Sequence, residues 1–212
     1  MAFEKKQVPT MVKDERLIQK RRDQMIKAAV ALFKQKGFHK TTTREIANKA
    51  GFSIGTLYEY IRQKEDILYL VCDAIYDQFR ERMEKAISHQ HDGLNLLKGA
   101  VRSYFTLADD MQDELLVMYQ ESKSLEKESL SYVLKKELDM SEMFEQILER
   151  CVKENVFSLT EEEMKATAHT ILVLGQMWAF RRWALHKRYT IDQYAELQLD
   201  LLLHGLKKNR LS

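Results

Sequence analysis

The amino-acid sequence predicts an all-α protein with a short basic helical head and a longer acidic helical body. Three observations carry that prediction. Proline occurs once, at Pro9, and glycine only seven times in 212 residues, so few points exist where a helix must stop. Apolar residues recur at spacings of three and four along most of the chain, the period of a helix buried on one face. The charge is uneven: residues 1–64 hold 15 lysines and arginines against 6 acids, a net +9, whereas residues 65–212 hold 19 against 26, a net −7. A basic head on an acidic body directs a polyanionic partner to the head alone.

Each element follows in order. Residues 1–15 lack periodicity and carry the proline, and read as a mobile basic arm. From about Arg16 to Gln35, Met25, Ala29, Leu32 and Phe33 share one helical stripe, and Gly37 is a C-terminal stop. In KTTTREIANKAGFS, Thr42 and Glu45 have capping-box spacing, while Ile46, Ala47 and Ala50 supply a short apolar face. Gly51 suits a tight turn and Ser53 an N-cap for a third helix, IGTLYEYI, with Leu57 and Ile61 inward. Tyr58 and Tyr60 lie two apart, about 200° around a helix, and are expected on its outward side. A supporting helix before two short helices joined by a glycine turn describes a helix-turn-helix domain over residues 16–64. Beyond it, Ile67, Val71, Ile75, Phe79, Met83 and Ile87 repeat every four residues on one long helix, which SHQHDG (88–93) breaks. Further helical segments are expected over 94–109, 113–123, 126–154, 161–187 and 191–208, within a second domain of residues 65–212.

The stretch TTTREIANKAGFSIGTLYEYIRQKEDIL (41–68) resembles the DNA-binding signature of the TetR/AcrR transcriptional regulators in spacing and residue type. Ile61 stands where an aromatic is common in that family. The resemblance implies an N-terminal three-helix helix-turn-helix DNA-binding domain and a larger C-terminal regulatory and dimerisation domain. It also implies a homodimer that binds a palindromic operator on double-stranded DNA and leaves it when a small hydrophobic ligand enters the C-terminal domain. Matched position by position, Thr42 and Thr43 open the second helix where hydroxyls and N–H groups meet a phosphate. Arg44 is the candidate for a guanine edge. Gly55 and Thr56 lie where the third helix approaches the bases, Tyr58 and Tyr60 match phosphate- or base-contacting positions, and Lys64 matches a backbone-contacting lysine. Lys13, Arg16, Lys20, Arg21 and Arg22 are candidates for phosphate or minor-groove contacts from the arm side.

VMYQES (117–122), the segment beginning at Leu125 and GQMWAFRRWALHKRY (175–189) resemble the branch that represses fatty-acid or sterol-ring catabolism and responds to acyl-CoA thioesters. The most specific piece is Trp-x-x-x-Arg-Trp at Trp178, Arg182 and Trp183. Ligand-contact candidates on that resemblance are Tyr119, Met177, Trp178, Arg181 and Arg182; packing in the core and dimer interface is the other reading of the same aromatic stripe. The segments 161–187 and 191–208 are expected to form a four-helix dimer interface, and the helix beginning near Glu65 is expected to act as the lever between ligand and DNA.

Other classes fit poorly. The sequence contains no HExxH, no GxxxxGK[ST] and no CxxC, and neither an enzyme nor a cofactor-dependent protein is expected. His89 and His91, two apart in one loop, are a weak metal signal, and no metal or cofactor is expected beyond the small-molecule effector. A helical adaptor would leave the charge split and residues 41–68 without a purpose. Within the family, a regulator of drug or lipophile efflux is the alternative. Cys72 and Cys151 sit in apolar contexts and read as buried free thiols, and with no signal peptide or membrane-length apolar run the expected location is cytoplasmic.

Overall fold

The computed structural model describes residues 8–88 and 92–207. His89 and His91, and the first seven residues of the arm, lie outside the described residues. Ten α-helices follow one another among the described residues, with no strand: α1 (Glu15–Lys36), α2 (Thr43–Ala50), α3 (Ile54–Tyr58), α4 (Lys64–Ser88), α5 (Gly93–Asp110), α6 (Gln112–Glu121), α7 (Lys127–Lys153), α8 (Glu161–Phe180), α9 (Arg182–Leu185) and α10 (Ile191–Lys207). A 3-10 turn, Ser122–Ser124, separates α6 from α7. Two of the expected segments differ. The third helix ends at Tyr58, short of Ile61, and the segment 161–187 divides at Arg181. The chain forms two compact units, residues 1–75 with 113–135 and residues 76–112 with 136–212; the boundaries fall within α4, at the start of α6 and within α7.

In the first unit, the Asp14 carboxylate caps α1 by accepting from the Arg16 and Leu17 amides, and Gly37 at φ 81° ends it. The buried stripe of α1, Met25, Ala29, Val30 and Phe33, packs with Phe38, Ile46, Leu57, Ile61, Ile67 and Val71 in one apolar core. Phe33 and Phe38 meet edge to face at 5.2 Å. Thr42 and Glu45 form the reciprocal capping box that the spacing predicts, and Gly51 adopts the left-handed conformation at φ 79°. That positive φ at the α2–α3 turn is one a β-branched residue rarely adopts, although space for a side chain is open there. Deeper in the same unit, the Tyr132 hydroxyl donates to buried Asp73 at 3.0 Å. Within the segment read as an arm, Val8 is buried, and the Met11 amide and Thr10 hydroxyl both donate to the Glu59 carbonyl.

In the second unit, α5 is the central helix: Leu97, Ala100, Val101, Tyr104, Phe105 and Ala108 are all buried. Tyr104 sits among Phe79, Phe105 and Phe144 at 5.5–6.0 Å, and its hydroxyl donates to the Leu172 carbonyl. Gly175 of α8 lies so close to the Tyr104 ring that a Cβ there would stand 2.4 Å from Cε1. A second capping box, Thr160 with Glu163, starts α8, and three glutamates in its first turn complement the helix dipole. Both cysteines are buried free thiols; burial pushes the Cys151 thiol up to about 12, well away from reactive thiolate behaviour.

Candidate nucleic-acid interface

The interface is built where α2 and α3 meet. Thr43 opens α2 and Tyr58 closes α3; their hydroxyl oxygens stand 3.0 Å apart. Two hydroxyls from different helices thus converge at an exposed joint, with Tyr58 at 44% exposure. The Thr43 and Arg44 amides, in the first turn of α2, have no acceptor within the helix and add donors at the same end. Arg44 follows on the exposed surface. Hydroxyls, helix-start amides and a guanidinium grouped in this way suit a phosphate and a neighbouring base edge.

The other expected residues are placed less uniformly. The Thr42 hydroxyl and amide are both used inside the capping box, donating to Glu45. The Lys36 ammonium, hydrogen-bonded to Glu45, and the Thr42 donors hold that carboxyl at about 2. Gly55 is exposed, with only Ser53 Oγ near the position a Cβ would take, so the backbone there is open to a close partner. Thr56 is half-buried, its amide and hydroxyl paired with Ser53 at the α3 N-cap. Tyr60 is a correction: it is 3% exposed, so the outward orientation holds for Tyr58 and not for Tyr60. The helix has already ended at Tyr58, and the turn that follows rotates the Tyr60 side chain into the core beside Ile61. Lys64 is half-buried, donating to the Phe38 and Thr41 carbonyls at 2.8 and 2.9 Å and lying 4.2 Å from the Phe38 ring centroid.

The arm-side cations also separate. Lys13, Arg16 and Lys20 face solvent. Arg21 stacks over Phe52 and bonds Gln24, and Arg22 donates to the Val8 carbonyl at 2.6 Å. Burial lowers the proton affinity of Arg22, opposed by the charges of Asp66 and Asp73. Both arginines are thus engaged within the protein. Sequence reasoning had no signal for this, because the partners of Arg22 lie far along the chain.

Of the ligand candidates, Tyr119 is exposed in the first unit, and Met177, Trp178, Arg181 and Arg182 lie at the end of α8 in the second. Trp178 is 2% exposed; its indole N–H donates to Asp109 at 2.6 Å, and His186 stacks on its ring at 4.1 Å. This is the packing alternative for Trp178. Arg181 lies over the exposed Trp183 ring at 5.1 Å, and Met177 and Arg182 are half-buried. Among the described residues no cluster of metal-ligating side chains occurs, and no helix is long and apolar enough to cross a membrane.

A three-helix head with its glycine turn and exposed hydroxyl-guanidinium joint defines a helix-turn-helix DNA-binding regulator. Comparison with known proteins gives the family. Residues 25–69 match the model for bacterial regulatory proteins of the tetR family, and residues 91–206 match the tetracyclin repressor-like C-terminal domain. The chain belongs to the TetR family: it is a transcriptional regulator and not an enzyme. It is 28% identical over 196 residues to the transcriptional regulator HbdR of Aromatoleum sp. strain CIB, covering 92% of this chain and 85% of that one. It is 36% identical over 84 residues to the fatty acid metabolism regulator protein of Bacillus subtilis strain 168, covering 40% and 43% of the two chains. Its fold matches that of AibR, solved with isovaleryl coenzyme A and operator DNA, at a TM-score of 0.73 and 18% identity, over 86% of this chain and 98% of that one.

Proposed function

We propose that the protein is a homodimeric repressor that docks α3 into the major groove of a palindromic operator and is released by an acyl-CoA thioester. The observation that carries the DNA part is the Thr43–Tyr58 hydroxyl pair beside Arg44, within the segment 1–64 of net charge +9. Thr43 and Tyr58 hold the backbone, and Arg44 reads a base edge. Dimerisation is supported by apolar side chains left on the surface of α8 and α10, where Val173, Leu197 and Leu201 are 52%, 41% and 61% exposed. A two-fold axis through these helices would cover them and set the spacing of two reading heads. Likeness to a fatty acid metabolism regulator and to a protein solved with a coenzyme A thioester supports the effector class. So does the cationic stretch Arg181, Arg182, Lys187 and Arg188, whose charge suits the phosphates of coenzyme A.

The test is fluorescence anisotropy with DNA upstream of the protein's own gene, titrated at several salt concentrations. Wild type should bind that duplex more tightly than a scrambled one, with affinity falling linearly in log salt. Arg44→Ala should cost about 1–3 kcal/mol on the specific duplex. Acyl-CoA thioesters of increasing chain length should dissociate the complex. Equal affinity for both duplexes would remove the operator reading, and indifference to every thioester would remove the effector reading alone.

A further inference from the structure

The turn that delivers the chain into α2 is held from outside the helix-turn-helix. Gly37 ends α1 and its amide bonds the Phe33 carbonyl, so the Phe38 amide is the first without a helical acceptor. It donates instead to Glu121 Oε1 at 3.0 Å, 83 residues further on. The opposite side of the turn is closed by Lys64, bonded to the Phe38 and Thr41 carbonyls, and by the buried Thr41 hydroxyl on the Gly37 carbonyl. Neighbouring contacts come from the same segment as Glu121. Asp113 pairs with Lys34, Ser124 Oγ lies 3.2 Å from His39 Nε2, and Gln63 Nε2 of the side chain donates to Glu126 at 2.9 Å. Glu121 is the last residue of α6, where the helix dipole disfavours a carboxylate. Local helix preference therefore does not account for an acid there; the Phe38 amide does. One residue after Thr41 the chain enters the capping box, and two after it stands Thr43, bonded to Tyr58.

We propose that Glu121 is a positioning residue for operator binding: its carboxylate fixes the Phe38 amide, and through the 37–41 turn it sets where Thr43 and Tyr58 stand. The segment from Asp113 to Glu126 acts as a polar latch, and opening it lowers operator affinity without removing any DNA-facing group. The proposal rests on the operator reading above.

The test uses the full chain and a duplex that the wild type enriches from a random library. Glu121→Ala should bind that duplex roughly tenfold more weakly, the scale of one charge-assisted hydrogen bond. Its affinity for a scrambled duplex should be unchanged, and hydrogen exchange of the 37–43 peptide should be faster. Glu121→Gln, which keeps an acceptor oxygen, should restore most of the affinity. Should Glu121→Ala fail to fold, Glu121→Asp, one methylene short of Phe38, must show the same selective loss. Wild-type affinity in the folded alanine variant, equal losses on both duplexes, or no rescue by glutamine would overturn the latch. Failure of the wild type to enrich any duplex would remove the operator reading and the latch with it; a binding wild type beside an unaffected Glu121→Ala removes the latch alone.

Discussion

Thr43, Tyr58 and Glu45 show how much single side chains decide here. The hydroxyl pair needs two helices at one joint, and the spacing of fifteen residues between them announces the helices but not the 3.0 Å contact. Glu45 has a more local role. Its carboxyl is lowered from 4.5 to about 2, first by the hydrogen bond from Lys36 and then by the Thr42 donors. A folded-state value below the unfolded one means that the folded chain binds protons less readily. The stabilisation is therefore complete above about pH 4.5 and is lost as the pH falls towards 2. Glu45→Gln keeps the cap's acceptor and removes the charge. In thermal melts its midpoint should lie below that of wild type at pH 6, and the gap should close between pH 4.5 and 2; a gap independent of pH would refute the assignment.

At the scale of elements, α8 shows where pattern and packing part. Its apolar period continues to residue 187, yet the helix stops at Phe180. His186 stacks 4.1 Å from Trp178, eight residues earlier, whereas eight residues of straight helix separate two side chains by about 12 Å along the axis. The contact requires the bend at Arg181. Gly175, earlier in α8, permits a close crossing with α5. Alanine there would meet Tyr104, whose ring is enclosed by aromatics and whose hydroxyl is anchored on Leu172. Gly175→Ala should cost about 2 kcal/mol from overpacking, lowering the thermal midpoint by roughly 4–8 °C. Gly99, with nothing near its Cβ position, is the control, expected to be neutral or stabilising as alanine. The same holds in α3: the sequence pattern runs to Ile61, and the early end at Tyr58 turns Tyr60 inward.

For the whole molecule, the exposed Leu197 and Leu201 on α10 predict self-association. Analytical ultracentrifugation should find a dimer, and Leu201→Glu with Leu197→Glu should shift it to monomer while leaving the helical circular dichroism unchanged; a wild-type monomer at micromolar concentration would refute the interface. Operator binding should weaken with the dimer, because two heads on one duplex bind with a shared effective concentration. The sequence alone determined the all-helical class, the capping box at Thr42, the glycine turns and the basic head, because these depend on residues within a turn or two of each other. Tertiary structure decided which cations are engaged inside the protein, which tyrosine faces out, that Trp178 is packed against Asp109 and His186, and that Glu121 accepts from the Phe38 amide 83 residues away. Those outcomes depend on which distant atoms arrive at hydrogen-bond distance, and no local period in the chain encodes that.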